Sequence, residues 1–360
     1  MNTKSKRVVT GIAIMLMAVV MLETPVLAKN LSKTIEVFYK NIKIYVDGNL
    51  AIPKDASGRI VEPFIYEGTT YLPVRAVSEA LGRPVEWEGT TSSVYIGEAI
   101  PQEIVEVTVS TAKELVAALG SNKKILLEEG LYNLTTVNPS YINNPSISYV
   151  ESFDGPELVL KGVNNLTIQG IGDTQSEIII TPRYAWVMNF QNSSNISIIN
   201  IKAGHTQDGY CAGGVFSFEN SSGIQIKDTL MYGCGTIGLN LMRVSDMRVL
   251  NSSIYECTYG IMSVNYSSDI IFNDCIFRDN KGFTMVQVGQ TSGFAIASCS
   301  FLRNKNDSSF YPDPMFSISH SDSVVVVNNL FANNVAGKLI AEEEIKFDTS
   351  NTFKNNSFNR

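Results

Sequence analysis

The chain has 360 residues, room for two or three domains, and its 44% hydrophobic content supplies an ample core. With 18% charged residues, a net charge of −7 and no basic stripe beyond the first few positions, it does not read as a nucleic-acid binder. The five cysteines form no CxxC pair and only His205 and His320 are histidines, which argues against zinc or haem.

At the amino terminus, Lys4, Lys6 and Arg7 precede an apolar run from Val8 to Leu22, and small residues follow in "VLAKN". This is the layout of a secretory signal over residues 1–28, cleaved after Ala28. The run of 15 residues is shorter than the ~20 a bilayer-crossing helix needs. No later segment could cross a membrane, so the expectation is a bacterial protein that is secreted or held at the cell surface, without a membrane span once the signal is removed.

Residues 36–97 read as a small α+β module. "IKIYVDGNL" alternates apolar and polar residues and turns at Asp47-Gly48, a hairpin signal. "EPFIYEGTTYLPVRAVSEALGRPVEWEGTTSSVYIG" continues as strand, turn, strand, short helix and closing strands. Ala76, Val77, Ala80 and Leu81 give that helix an apolar face and Gly82 ends it. The order of "DG", "YEGTTYLPVRAVSEALG", "VEW" and "SVYIG" resembles the copper amine oxidase N-terminal-like, or stalk, domain. That resemblance implies attachment to a surface or polymer. It does not bring copper with it, because the segment holds no histidine or cysteine. Arg75 reads as a half-buried structural partner.

A Pro-containing linker over 98–107 leads to a solenoid over 108–360. "STAKELVAALG" predicts a helix with Ser110 or Thr111 as N-cap, Leu115, Val116 and Leu119 on one face, and Gly120 as the stop. A solenoid end exposes unpaired edges, and this helix is read as its cap. Seven strands then start with Leu166, Ile196, Ile224, Met247, Ile270, Phe294 and Val324 as first apolar residues, at steps of 30, 28, 23, 23, 24 and 30. A base period near 23 with insertions is a repeat of three short parallel strands per coil, about nine coils in all. Counting from each first apolar residue, position seven carries Met231, Ile254, Phe277, Phe301 and Phe331. Position five carries Thr229, Ser252, Cys275, Cys299 and Asn329. Position ten carries Cys234, Cys257, Asn280, Asn304 and Asn334. Asn in that column is expected both to take left-handed turn geometry and to hydrogen-bond along the stack. The ~4.8 Å coil spacing leaves two readings for Cys234/Cys257 and Cys275/Cys299, free buried thiols or disulfides, with Cys211 alone.

The rhythm of "DIIFNDCIFRDN" and "GFAIASCSFLRN" resembles the right-handed parallel β-helix proteins of the pectate-lyase-like superfamily. The resemblance implies a mainly β, right-handed parallel β-helix solenoid, a fold that hosts polysaccharide lyases, glycoside hydrolases, adhesins and inert structural proteins. Of the lyase and hydrolase signatures, only fragments are present, "TPRYAW" around Arg183 and "AGHT" ending at Thr206.

Two insertions, Ala203–Gly214 and Asn304–Met315, flank a floor of three coils with few additions. Such a groove suits an extended polymer. Position nine on the floor carries Gly233, Glu256, Asp279 and Arg303. Glu256, Asp279 and Arg303 are the catalytic candidates, because two close carboxylates raise one another's proton affinity or share a cation such as calcium. Arg278 or Arg303 would pair with a sugar carboxylate, and Tyr232, Tyr255 and Tyr259 would stack on sugar rings. His205 and Asp208 in the first loop complete the substrate-binding set. The same Glu-Asp-Arg series also reads as a solvated charge ladder. The partner expected is therefore an extracellular polysaccharide or cell-wall polymer, bound and in the enzymatic case processed. The alternative is a non-catalytic adhesion or structural surface protein. The chain ends in coil rhythm, which leaves the carboxy-terminal end of the solenoid as a site for oligomer formation.

Overall fold

The computed structural model describes residues 34–55, 58–88, 93–97, 103–138, 144–205, 213–233, 237–306, 313–341 and 347–358. The signal read at 1–28, Asp208, Cys211 and Cys234 lie outside them. Two compact units emerge, Met1–Pro101 and Gln102–Arg360.

The first unit is built from three antiparallel hairpins, Ile44–Val46 with Asn49–Ala51, Phe64–Tyr66 with Thr69–Tyr71, and Val85–Glu88 with Ser93–Ile96. Asp47-Gly48 and Glu67-Gly68 have positive φ at both positions, the geometry of the tight turn that matches strand twist. The helix spans Val74–Ala80 and buries Ala76 and Ser78, whereas Ala80 and Leu81 remain exposed. Arg75 pairs with Glu79 at 3.3 Å and is partly buried.

The second unit is a solenoid of three nine-stranded sheets. In a typical coil the chain runs through sheet A (Ile237–Met242), sheet B (Ser245–Leu250) and sheet C (Ser253–Tyr255), then passes to sheet A of the next coil. Neighbouring coils pair in parallel and in register, as Ile224↔Met247↔Ile270↔Phe294 shows in sheet B. A fourth sheet, D, of two-residue strands at Lys281–Gly282, Lys305–Asn306, Val335–Ala336 and Ser357–Phe358, lines the passage from C to A in the later coils. Its segments are too short to show any period of their own.

Inward-facing positions form columns along the axis. Met231, Ile254, Phe277, Phe301 and Phe331 of sheet C are all at most 1% exposed. Phe301 and Phe331 stack with centroids 4.7 Å apart. Burying each such side chain contributes roughly 1.5–3 kcal/mol. The helix at Ala112–Ala118 closes the amino-terminal end with Leu115, Val116 and Leu119 against the core. Thr111 is its N-cap and exchanges hydrogen bonds with Glu114 in a capping box. Sheet B begins at Val105, inside the stretch read as a linker, and pairs with Lys123–Leu127. Sheet A begins with an antiparallel strand, Ile147–Glu151, which the parallel pattern did not foretell.

The corners divide between two adjacent residues the work that the sequence reading gave to one. After sheet C, Glu256, Asp279, Arg303, Asn333 and Asn355 take φ between +51° and +58° and turn the chain. The next residue points inward. Asn280 Nδ2 donates to Asn304 Oδ1 at 2.9 Å, Asn304 Nδ2 to Asn334 Oδ1 at 3.0 Å, and Asn334 Nδ2 to Asn356 Oδ1 at 2.9 Å. Cys257 joins the foot of this ladder through its backbone N–H, which donates to Asn280 Oδ1. At the corner between B and C, Cys275 and Cys299 are buried thiols whose sulfurs donate to the carbonyls of Asn273 and Ala297. The stacking that suggested a disulfide there instead places the Cys275 N–H on Cys299 Sγ.

Candidate functional site

In the middle coils the sheet C strands are only three residues long, so their outward residues sit beside the corner that leads to sheet A. Tyr232, Tyr255 and Arg278 occupy one register column on three successive coils. Tyr232 and Tyr255 stack with centroids 5.7 Å apart. Lys202 Nζ lies 4.5 Å from the Tyr232 ring and Arg278 Cζ 4.1 Å from the Tyr255 ring, so a cation closes each end. The Tyr232 hydroxyl donates to Glu177 Oε1 at 2.6 Å, which also pairs with Lys202 at 2.8 Å. This ring can lie flat because Gly204 is beneath it, where a Cβ would come within 2.7 Å of the ring. The faces of Tyr232 and Tyr255 are therefore taken by each other and by cations, and Tyr255 is only 9% exposed, so neither ring offers a free face to a sugar.

Asp279 lies next along the corner. Arg303 grips it with two parallel hydrogen bonds, 2.7 and 2.8 Å, and Arg278 adds a third at 3.0 Å. The hydrogen bonds from Arg303, helped by those from Arg278, hold the Asp279 carboxyl below the usual carboxylate range. The raised proton affinity expected of a Glu256/Asp279 pair is thus replaced by its opposite at Asp279, because the hydrogen bonds and charges of two guanidinium groups outweigh the cost of its partial burial. Asp279 is suited to holding charge in place, not to giving up a proton near neutral pH. Among the described residues no group of three or more His, Cys, Asp or Glu is placed to hold a metal ion.

Tyr259 differs from the other two tyrosines. It is 40% exposed on the passage from C to A and meets Phe283, 43% exposed on the next coil, with centroids 4.7 Å apart and planes at 58°. Together they form an open aromatic notch on the passage that follows the Asp279 corner. Phe283 escaped the sequence reading because its segment carries no strand period. The available signal was an aromatic on each of two consecutive coils, Tyr259 twelve residues past Met247 and Phe283 thirteen past Ile270.

His205 is not a loop residue. It ends the sheet C strand Ile201–His205, is 1% exposed, and its Nε2 lies 2.9 Å from the Gly214 carbonyl. Burial pushes its pKa below the ordinary histidine value. Near it, at the start of the solenoid, a cleft of about 480 Å³ is lined by Thr135, Phe153, Asp154, Arg183 and Tyr184 among others. Asp154 fixes this cleft by accepting from the backbone N–H groups of Arg183 and Tyr184 at 2.7 and 3.1 Å. Phe153, 87% exposed, leans on Tyr184 with centroids 5.0 Å apart. The same C-to-A edge thus carries exposed aromatic pairs at two places, separated by three to four coils.

Residues 162–310 match the family described as right-handed β-helix region, and residues 22–96 and 55–129 each match the copper amine oxidase N-terminal domain. Comparison with curated proteins finds no match. Among solved structures, the chain is similar to an alginate lyase from Paenibacillus sp. str. FPU-7, at 11% identity and a TM-score of 0.47, covering 70% of this chain and 99% of that one. It is also similar to a mutant pectate lyase of Bacillus subtilis, at 13% identity and a TM-score of 0.38, covering 71% and 81%. The surface protein and adhesin PfbA of Streptococcus pneumoniae follows at 12% identity and a TM-score of 0.33, covering 71% and 86%. The chain thus joins an α+β unit that matches the copper amine oxidase N-terminal domain to a parallel β-helix solenoid that matches the right-handed β-helix region.

Proposed function

We propose that the solenoid binds an extracellular polysaccharide along the corner between sheets C and A, as an exported or cell-surface protein. The observation that carries this reading is the exposed Tyr259–Phe283 notch on the edge of a regular scaffold whose preceding corner carries the Asp279–Arg303–Arg278 group. Aromatic faces take the C–H faces of sugar rings, and charged side chains beside them take the hydroxyl or acidic groups. The saturation of Asp279 by two arginines favours retention of the polymer over its cleavage. It equally suits the second reading, a non-catalytic adhesion or structural surface protein.

The test is a panel of acidic and neutral polysaccharides, with and without calcium, read for retention of the protein and for new unsaturated or reducing ends. Retention without new ends is expected, weakened several-fold by Tyr259→Ala. New ends that vanish in a Glu256→Gln/Asp279→Asn variant would instead establish catalysis at the floor, and their dependence on calcium would assign a shared cation there. No retention anywhere would leave the structural reading.

A further inference from the structure

At several places the solenoid sets opposite charges side by side on neighbouring coils. Lys202 meets Glu177, Arg303 meets Asp279, and Lys124 meets Glu106. Sheet D breaks this pattern. Lys281 and Lys305 are register partners on adjacent parallel strands, both exposed. Their Cα atoms are therefore ~4.8 Å apart with both side chains turned outward. Among the described residues neither ammonium forms an ion pair. Like charges directly opposite on a sheet are destabilising, and this chain, with a net charge of −7, has acidic residues to spare for such a place.

The neighbourhood of the pair is fixed by Gly282. Its φ is +110°, and a Cβ there would stand 2.5 Å from the Thr258 carbonyl oxygen and 2.6 Å from the Tyr259 Cα. Only glycine lets this coil press onto the turn that carries Tyr259. That contact sets Lys281 immediately before, and Phe283 immediately after, the point where the two coils touch. The unmatched ammonium pair and the Tyr259–Phe283 notch thus border one another, with Arg303 two residues ahead of Lys305.

We infer that Lys281, Lys305, Tyr259 and Phe283 form a subsite for one anionic sugar of the bound polymer, with its carboxylate or sulfate bridging the two ammonium groups and its ring against the aromatic notch. This rests on the polysaccharide reading above and names the ligand's charge. An anion seated between the lysines converts their repulsion into two attractions. Without it the repulsion persists, which makes the pair selective for a polyanion over a neutral chain of the same shape.

The test uses the full chain with polygalacturonate as the carboxylated probe, dextran sulfate as the sulfated probe and dextran as the neutral one. Affinities are measured at low salt and at about 1 M salt, where exposed charges are screened within about 3 Å. The variant is K281Q/K305Q, and K113Q/K161Q, which removes the same charge from the cap helix and the start of the solenoid, is the control. Wild type should bind at least one polyanion more tightly than dextran, and K281Q/K305Q should weaken that binding about tenfold or more at low salt, a loss of about 1.4 kcal/mol. The control should not, and the difference should shrink at high salt. Whichever of the two polyanions is preferred identifies the acidic group. Without polymer, K281Q/K305Q should melt at a higher temperature than wild type, since the repulsion is gone. Polyanion binding equal in K281Q/K305Q and in the control would overturn the subsite and leave the polysaccharide reading standing, as would preference for dextran. Failure to bind any of the three would remove both.

Discussion

At the residue scale, the corner after sheet C shows how one position can be conformationally demanding and chemically free at once. Glu256, Asp279 and Arg303 all sit at φ near +55°, where Asn is the common solution, as Asn333 and Asn355 illustrate in later coils. Charged residues there exchange local conformational ease for a row of outward groups. Asp279 is the member whose environment is most specific, and its pH behaviour can be derived. Its carboxyl is lowered in the folded state, chiefly by Arg303, so its contribution to stability is present above the unfolded value of about 3.9 and is lost as the pH falls through the lower folded value. Because the Arg303 side chain is 53% exposed, the contribution is less than about 1 kcal/mol. Asp279→Asn keeps a residue suited to the turn and removes only the charge. Thermal melts should show the variant less stable than wild type at pH 6, with the gap closing below about pH 4. A gap that persists unchanged to pH 2 would mean that the arginine grip contributes nothing and the loss is steric. The sequence foretold this column of outward charges and its reading as a ladder, but not that Arg303 and Arg278 would both converge on Asp279, because side-chain reach is not written in a period.

The scale of elements is where the sequence was most legible. A step near 23 with apolar residues at fixed offsets predicted the coils, the inward Phe column and the corner columns, because each coil must present the same face to the same neighbour. The pattern could not separate turning from bonding at positions nine and ten, since Asn serves either role. Nor could it show the antiparallel strand at Ile147–Glu151 or sheet D, which arise from how coil edges meet and not from local preference. The ladder makes a sharp contrast between two neighbouring asparagines. Asn304 is 1% exposed and accepts from both the backbone N–H and Nδ2 of Asn280, while its own Nδ2 donates to the Phe277 carbonyl and to Asn334. Asn304→Ala strands those buried groups and should cost at least about 2 kcal/mol in chemical denaturation. Asn333→Ala, at an exposed turning position, should cost about 1 kcal/mol, the penalty of a left-handed alanine. Equal losses at the two sites would contradict the division of labour between them.

At the scale of the whole molecule, a stack of nearly identical coils gives every feature on one edge a common direction. Tyr184, the Tyr232–Tyr255 stack, the Tyr259–Phe283 notch and the Lys281–Lys305 pair all lie on sheet C or on its passage to sheet A, and Phe153 reaches Tyr184 from the first hairpin of sheet A. Among the described residues no helix is long and apolar enough to cross a membrane. A scaffold of this kind supplies rigidity cheaply, so that function depends on which side chains stand out from it. Both insertions read from the sequence fall on the passage towards sheet A, and of the three tyrosines it named only Tyr259 is exposed there. The most direct measurement is hydrogen exchange of the full chain with and without a saturating polyanionic oligosaccharide. Backbone protection is expected at residues 256–259, 278–283 and 303–306, with the outer face of sheet B unchanged. Protection confined to sheet B, or to the amino-terminal module, would contradict the assignment of the C-to-A corner as the binding surface.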